Sequence, residues 1–188
     1  MIARLWSSLG ARIRQSDRLI ALLLLGAAFG LYGVTTGNLV GYEPETAGAA
    51  EGLVQTGALR VEQNSKIANG QWAVGKDGGR FAHTGLTQPL LEAPFYFLGE
   101  KLDDLSTSSG QSVKWRETFL RLFDPLMAAI TVAAIFLLLR LRGRTRRQAL
   151  GVAGLAGVAS LIWPYAKIGM ETATMAFLAL TLLGAAWA

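Results

Sequence analysis

Two carboxylates on either side of a proline are the first residues whose types suggest chemistry. Glu43 and Glu45 follow a long apolar run, with Pro44 between them. Proline suits the first turn of a helix, and the residues that follow predict a helix that ends near Gly57. Carboxylates at its start are candidates for acid–base chemistry. The alternative is that they are only favourable charges at a helix N-terminus.

His83 is the chain's single histidine and lies in a glycine-bounded stretch. No histidine, cysteine or carboxylate stands at metal-ligand spacing from it, and nothing in the sequence places a nucleophilic serine beside it. It is therefore either a hydrogen-bonded surface residue or a direct participant in chemistry. The chain has no cysteine, which excludes disulfides, thiolate metal sites and cysteine nucleophiles. No cofactor is predicted, and a divalent metal has no support in these residues.

The composition predicts a membrane protein. Of the 188 residues, 52% are hydrophobic and only 16% are charged, whereas soluble domains carry about 25% charged residues. The net charge of +5 does not indicate a nucleic-acid partner, because the arginines flank apolar runs as they do at cytoplasmic ends of membrane spans. These arginines are Arg4, Arg12, Arg14 and Arg18 before the first run, and Arg140, Arg142, Arg144, Arg146 and Arg147 after the second.

Four apolar segments predict about four transmembrane helices, because roughly 20 apolar residues cross the hydrocarbon core as a helix. They are residues 19–37, 119–139, 149–163 and 172–188, with Pro164 expected to end or kink the third. Residues 1–18 predict a cytoplasmic interfacial segment, with a secretory signal peptide as the alternative. The chain stops while still apolar, so we expect a fragment of a longer protein.

The arginines also predict the topology. With both clusters inside, residues 140–148 form a cytoplasmic Arg-rich loop, and residues 38–118 and 164–171 lie on the outer face. Within 38–118 the pattern predicts two interfacial helices and a small β-hairpin near Asp77-Gly78-Gly79. The predicted fold is an all-α membrane protein with a large extracytoplasmic first loop, and its two outer segments can build one site.

Three stretches of the chain together resemble a known family. They are DGGRFAHTGLTQPLL at residues 77–91, followed by APFYFLG at 93–99; WPYAK at 163–167, followed by Glu171; and Glu43-Pro44-Glu45. They are similar to segments of integral-membrane glycosyltransferases of the C-type fold, the superfamily of protein O-mannosyltransferases and aminoarabinose transferases. The resemblance covers nearly the whole chain and implies that the chain is the N-terminal portion of such an enzyme.

The resemblance implies transfer of a sugar from a polyprenyl-phosphate donor to a glycan, lipid or protein acceptor. Glu45 or Glu43 would be the catalytic base, although the family's acidic motif often contains aspartate. Lys167 and Arg80 would contact the donor phosphate, and the remaining substrate-binding candidates are His83, Tyr165 and Glu171. Lys167 has an alternative role as a lysine that extends to the membrane interface, and Glu171 as a carboxylate at a helix N-terminus.

A different class of function also fits the pattern. A non-enzymatic membrane protein, such as a transporter fragment or an assembly subunit, could carry a substrate-binding outer loop. Transporters more often show internal repeats and ionisable residues near the middle of the membrane. Both interpretations place the chain in a membrane, with a bacterial plasma membrane and a cytoplasmic N-terminus expected, and both make membrane lipid a partner.

Overall fold

The structure is a computed structural model that describes residues 14–34, 43–61, 72–82, 87–108 and 114–168, together with residues 176, 179 and 180. The predicted all-α class is confirmed, because helices make up most of these residues. In chain order they are α1 (Gln15–Val34), α2 (Glu43–Thr56), the strands β1 (Ala73–Val74) and β2 (Arg80–Phe81), α3 (Thr87–Ser108), α4 (Trp115–Leu141), α5 (Arg146–Ala159) and α6 (Ile162–Ile168).

The two longest apolar helices, α1 and α4, pack against each other in opposite directions. Asp17 near the start of α1 contacts Arg140 near the end of α4. At the other end a Cβ on Gly33 would lie 3.6 Å from the Leu122 side chain. Both helices are long and apolar enough to cross a membrane, since about 20 residues suffice.

The Arg-rich segment predicted as a loop at residues 140–148 is mostly helical. Arg140 belongs to the last turn of α4, and α5 already begins at Arg146. Gly143, at φ +76°, makes the short turn between them, because a glycine adopts this left-handed conformation without strain. A capping box then starts α5: Gln148 N donates to Thr145 Oγ1, and Thr145 N donates to Gln148 Oε1.

The segment predicted as one helix over residues 149–163 is divided in the structure. The helix α5 ends at Ala159, and α6 begins at Ile162. The break falls at Ser160, whose hydroxyl donates to Ala156 O and accepts from Ile162 N. Pro164 therefore does not end the helix. It lies in the first turn of α6, where its missing N–H removes no helical hydrogen bond. At 14 residues, α5 is about 21 Å long, short of the ~30 Å hydrocarbon core.

The segment between α1 and α4 folds into α2, the hairpin and α3. The helix α2 ends before Gly57, which has φ +73°. In the hairpin Ala73 pairs with Phe81 and Val74 with Arg80, and Val61 N donates to Arg80 O. The helix α3 packs on α2 along one side and on α4 along another. Most of residues 1–18 and of 172–188 lie outside the described residues.

Candidate functional site

Polar side chains line much of the contact between α2 and α3. Small residues of α2, Ala47 and Ala50, are fully buried there and let the helices approach. Burying a carboxylate costs free energy unless hydrogen bonds from the protein replace those from water. The carboxylates of this α2–α3 polar contact therefore need hydrogen-bond donors from the side chains around them. The buried polar members of the contact are Thr46, Glu51, Gln88, Glu92 and Tyr96.

Glu92 lies near the middle of this contact and is only 2% exposed. Gln88 Nε2 donates to Glu92 Oε1 at 2.8 Å, and Thr46 Oγ1 donates to the same oxygen at 3.3 Å. Gln88 and Glu92 are four residues apart in α3, which places both on one helix face. The face of α3 that meets α2 is therefore polar.

Tyr96 continues that face one turn later, and its ring is fully buried. Its hydroxyl donates to Glu51 Oε1 at 3.0 Å and accepts from Gln55 Nε2 at 3.0 Å. Arg116 Nη1, on α4, also donates to it at 3.2 Å. Burial, with a smaller contribution from the Glu51 charge, raises the pKa of Tyr96 to about 12. The phenol therefore stays protonated at neutral pH and remains a donor to Glu51.

Further hydrogen bonds join α3 to α4. Asp103 accepts from Arg116 Nε at 2.7 Å and from the Trp115 backbone N–H at 2.6 Å. The helices can approach here because residue 99 is glycine, and a Cβ on it would lie 2.6 Å from Arg116 Cα. An unbroken series of hydrogen bonds thus runs from Glu51 on α2, through Tyr96, to the start of α4.

Tyr96→Phe is expected to lower the free energy of unfolding by about 1 to 2 kcal/mol, because it removes the phenol donor from a carboxylate that is 7% exposed. Chemical denaturation in detergent, followed by circular dichroism, measures this. Phe97→Leu on the exposed side of α3 is the matched control and should leave stability nearly unchanged. Equal stability of Tyr96→Phe and the unchanged protein would contradict the prediction.

The difference between Tyr96→Phe and the unchanged protein should also depend on pH. Because the folded-state pKa is raised from 10 to about 12, the tyrosine's contribution is complete below pH 10 and is lost as the pH rises toward 12. We therefore expect the two proteins to converge in stability across that window. A difference that stays constant from pH 9 to pH 12 would contradict this assignment.

The two predicted base residues lie in the first turn of α2. Glu45 is only 3% exposed, so the structure places it away from solvent. Glu43 is the first residue of the helix, and its side chain lies outside the described part. The structure therefore has a helix that starts where the sequence predicts it, and one of the two carboxylates at this helix start is buried.

Arg80 lies beside the same helix. Its guanidinium carbon sits 4.8 Å from the centre of the Trp72 ring, a cation–π arrangement. Trp72 in turn packs against the pair Ala49 and Val61. Ala49 is one helical turn after Glu45, on the same face of α2. The Arg80 side chain is thus held against Trp72, which itself packs on α2 at Ala49.

Two of the remaining candidates, Tyr165 and Lys167, belong to α6, but their side chains lie outside the described part. His83 and Glu171 lie wholly outside the described residues. The helix α6 packs against α1, α4 and α5, and the Trp163 ring lies 6.4 Å from that of Tyr32. Tyr32 is close to the C-terminal end of α1, so α6 lies toward that end.

The helices α2 and α3 lie at the same end of the bundle. Phe95 of α3 packs edge-on against Phe123 in the N-terminal part of α4, at 5.3 Å. Because α1 and α4 are antiparallel, this part of α4 lies beside the C-terminal end of α1. The candidate residues on α2, β2 and α6 are therefore all opposite the end that carries Asp17 and Arg140.

The sequence prediction did not include Glu51, Glu92, Tyr96 or Arg116. A signal was present, because Gln88, Glu92 and Tyr96 recur every four residues along a predicted helix. Within the described ranges no three His, Cys, Asp or Glu side chains are grouped so that they could hold a metal ion. Comparison with protein families, curated proteins and solved structures gives no match for the chain.

Proposed function

We propose that the chain is the N-terminal part of a membrane glycosyltransferase. It moves a sugar from a polyprenyl-phosphate donor to a glycan, lipid or protein acceptor on the outer face of a bacterial plasma membrane. The observation that carries the proposal is the shared location of α2 and α6. These two helices contain Glu43, Glu45, Tyr165 and Lys167. They lie at the end of the bundle opposite Arg140 and Arg146.

The charge distribution supports the orientation. Arg140 and Arg146 lie at one end of the bundle, where both contact Asp17, and basic residues favour the cytoplasmic side of a membrane. In the proposed topology α1 and α4 are two of four spans, α5 with α6 is the third, and residues 172–188 are the fourth. The helices α2 and α3 then lie along the outer membrane surface.

The proposed reaction needs a base and cations on that outer face. The base, Glu43 or Glu45, takes the proton of the acceptor hydroxyl while the hydroxyl oxygen attacks the anomeric carbon of the donor sugar. The bond from that carbon to the phosphate oxygen breaks, and the lipid phosphate leaves with its electron pair. Lys167 and Arg80 stabilise the departing charge, and His83, Tyr165 and Glu171 are proposed to contact the sugars.

One of the two variants Glu43→Gln and Glu45→Gln should reduce transfer by about 100-fold or more in the full-length protein, because it removes the base but keeps the side chain's size. The assay uses proteoliposomes, a soluble acceptor extract and a panel of radiolabelled polyprenyl-phosphate sugars. Since Glu45 is buried, the Glu43 variant is the more direct test.

Glu117→Gln is the matched control, because Glu117 lies at the start of α4 and, within the described part of the chain, forms its ion pairs with the exposed cations Lys114 and Arg121. It should keep full activity. If both Glu43→Gln and Glu45→Gln transfer sugar at the rate of the control, the assignment of the base is wrong.

A second candidate function is a non-enzymatic membrane subunit, and the burial of Glu45 favours it. Glu45 is buried, and Arg80 is stacked on Trp72, and neither arrangement needs a substrate. In this case the outer segment is a rigid cap for binding a partner or substrate. Full-length protein that transfers no sugar from any donor in the panel would support this alternative.

A further inference from the structure

The helix α3 carries its apolar residues on the outside. Leu90, Leu98 and Leu105 are 50%, 51% and 68% exposed, whereas Glu92 and Tyr96 are buried on the opposite side. A surface helix of a soluble protein has the reverse arrangement, with its apolar side toward the core. The helix α3 therefore turns its polar side toward the rest of the protein and its apolar side away from it.

The exposed residues form one continuous surface. At 3.6 residues per turn, they fall within an arc of about 120° that runs the length of the helix. This apolar stripe comprises Leu90, Leu91, Pro94, Phe97, Leu98, Lys101 and Leu105. Phe95 is not part of it, because its ring packs against Phe123 of α4. A contiguous exposed apolar surface of this kind indicates an interaction site.

The charged residues in and beside the stripe are compatible with a lipid membrane as the partner. Lys101 is its one ionisable member, and its ammonium group lies 5.6 Å from the centre of the Phe97 ring. A lysine whose stem covers apolar surface can place its ammonium among lipid headgroups. Asp104 lies at the edge of the stripe, so the net charge gives no preference for anionic lipid over zwitterionic lipid.

We infer that α3 is seated in the outer bilayer interface, with the apolar stripe among the acyl chains and Lys101 at the level of the lipid phosphates. The stripe faces lipid because α3 is attached by its other side to the end of α4, a helix long enough to cross a membrane. Amphipathic helices bury such faces about 5–10 Å into this boundary. The inference rests on the membrane placement in the proposed function but not on sugar transfer.

This seating has a consequence for the candidate site. The polar side of α3 holds α2 through the hydrogen bonds to Thr46 and Glu51. A helix fixed in the lipid interface therefore fixes the height of α2 above the membrane. The start of α2, which carries Glu43, is then held near the level of the lipid phosphates.

The chain has no native cysteine, so single spin labels can test the seating directly. Leu98→Cys and Leu105→Cys, each labelled with a nitroxide, are placed in full-length protein in phosphatidylcholine proteoliposomes. Collisions with oxygen, which concentrates in lipid, and with a water-soluble nickel chelate are measured by electron paramagnetic resonance. Leu22→Cys on α1 is the lipid control, and Lys76→Cys in the exposed hairpin turn is the water control.

Both α3 labels should match Leu22→Cys, with an oxygen-to-nickel ratio several-fold above that of Lys76→Cys. Nickel access equal to that of Lys76→Cys would overturn the inference, because the stripe would face water. Low access to both reagents would also overturn it, because protein would cover the stripe. If the Leu22→Cys label is itself water-accessible, the membrane placement fails, and the seating of α3 fails with it.

Discussion

Asp17→Asn is expected to lower the free energy of unfolding by about 3 kcal/mol, because it breaks a buried ion pair shared by three helices. The Asp17 side chain is 3% exposed, and it accepts from Arg140 Nη2 at 3.1 Å and from Arg146 Nε at 2.7 Å. The variant removes the carboxylate that the two guanidinium groups share. The expected loss is at the lower end for buried pairs, since Arg146 is 41% exposed.

Thermal unfolding in detergent micelles measures this effect. Asp77→Asn is the matched control, because Asp77 also pairs with an arginine, Arg60, but both side chains are 50% exposed. Pairs in solvent contribute little, so this variant should melt close to the unchanged protein. If the two variants shift the melting temperature equally, the contact between α1, α4 and α5 does not depend on Asp17.

Gly99→Val is expected to cost about 3 kcal/mol, because there is no room for a side chain where α3 crosses α4. A Cβ on Gly99 would lie 2.6 Å from Arg116 Cα and 2.9 Å from Arg116 N. Backbone atoms cannot move aside as a flexible side chain can. The helices must separate, and the hydrogen bonds from Asp103 to Trp115 and Arg116 lengthen with them.

Gly154→Val separates this steric effect from the general cost of changing a glycine in a helix. Gly154 lies within α5, and nothing lies within 4 Å of a Cβ added to it. Valine and glycine have similar helix propensities to within about 0.5 kcal/mol, so this variant should be almost neutral. Similar denaturation midpoints for both variants would show that the α3–α4 crossing tolerates a wider separation.

Much of the helical framework could be predicted from the sequence, because its signals are local. Continuous apolar residues predict α1 and α4, and Pro44 with Gly57 marks the limits of α2. The predicted hairpin is present around Gly78, which has φ +76°. Each of these signals lies within a few residues of the structure that it specifies.

The tertiary contacts could not be predicted in the same way, because they join distant segments. Asp17 meets arginines 123 and 129 residues further along the chain. The polar side of α3 is buried because α2 supplies Thr46 and Glu51 to it and α4 supplies Arg116. The break at Ser160 was missed because Pro164 is the stronger local signal, whereas a serine hydroxyl that caps two helix ends has no distinctive pattern.

The break at Ser160 has a consequence for the contact between α1 and α5. It leaves carbonyl groups at the end of α5 without helical partners, and a buried carbonyl without a donor costs free energy. Tyr32 on α1 meets part of this cost, because its hydroxyl donates to Gly157 O at 2.8 Å. The end of α5 therefore depends on α1 for a hydrogen bond that an unbroken helix would have made within itself.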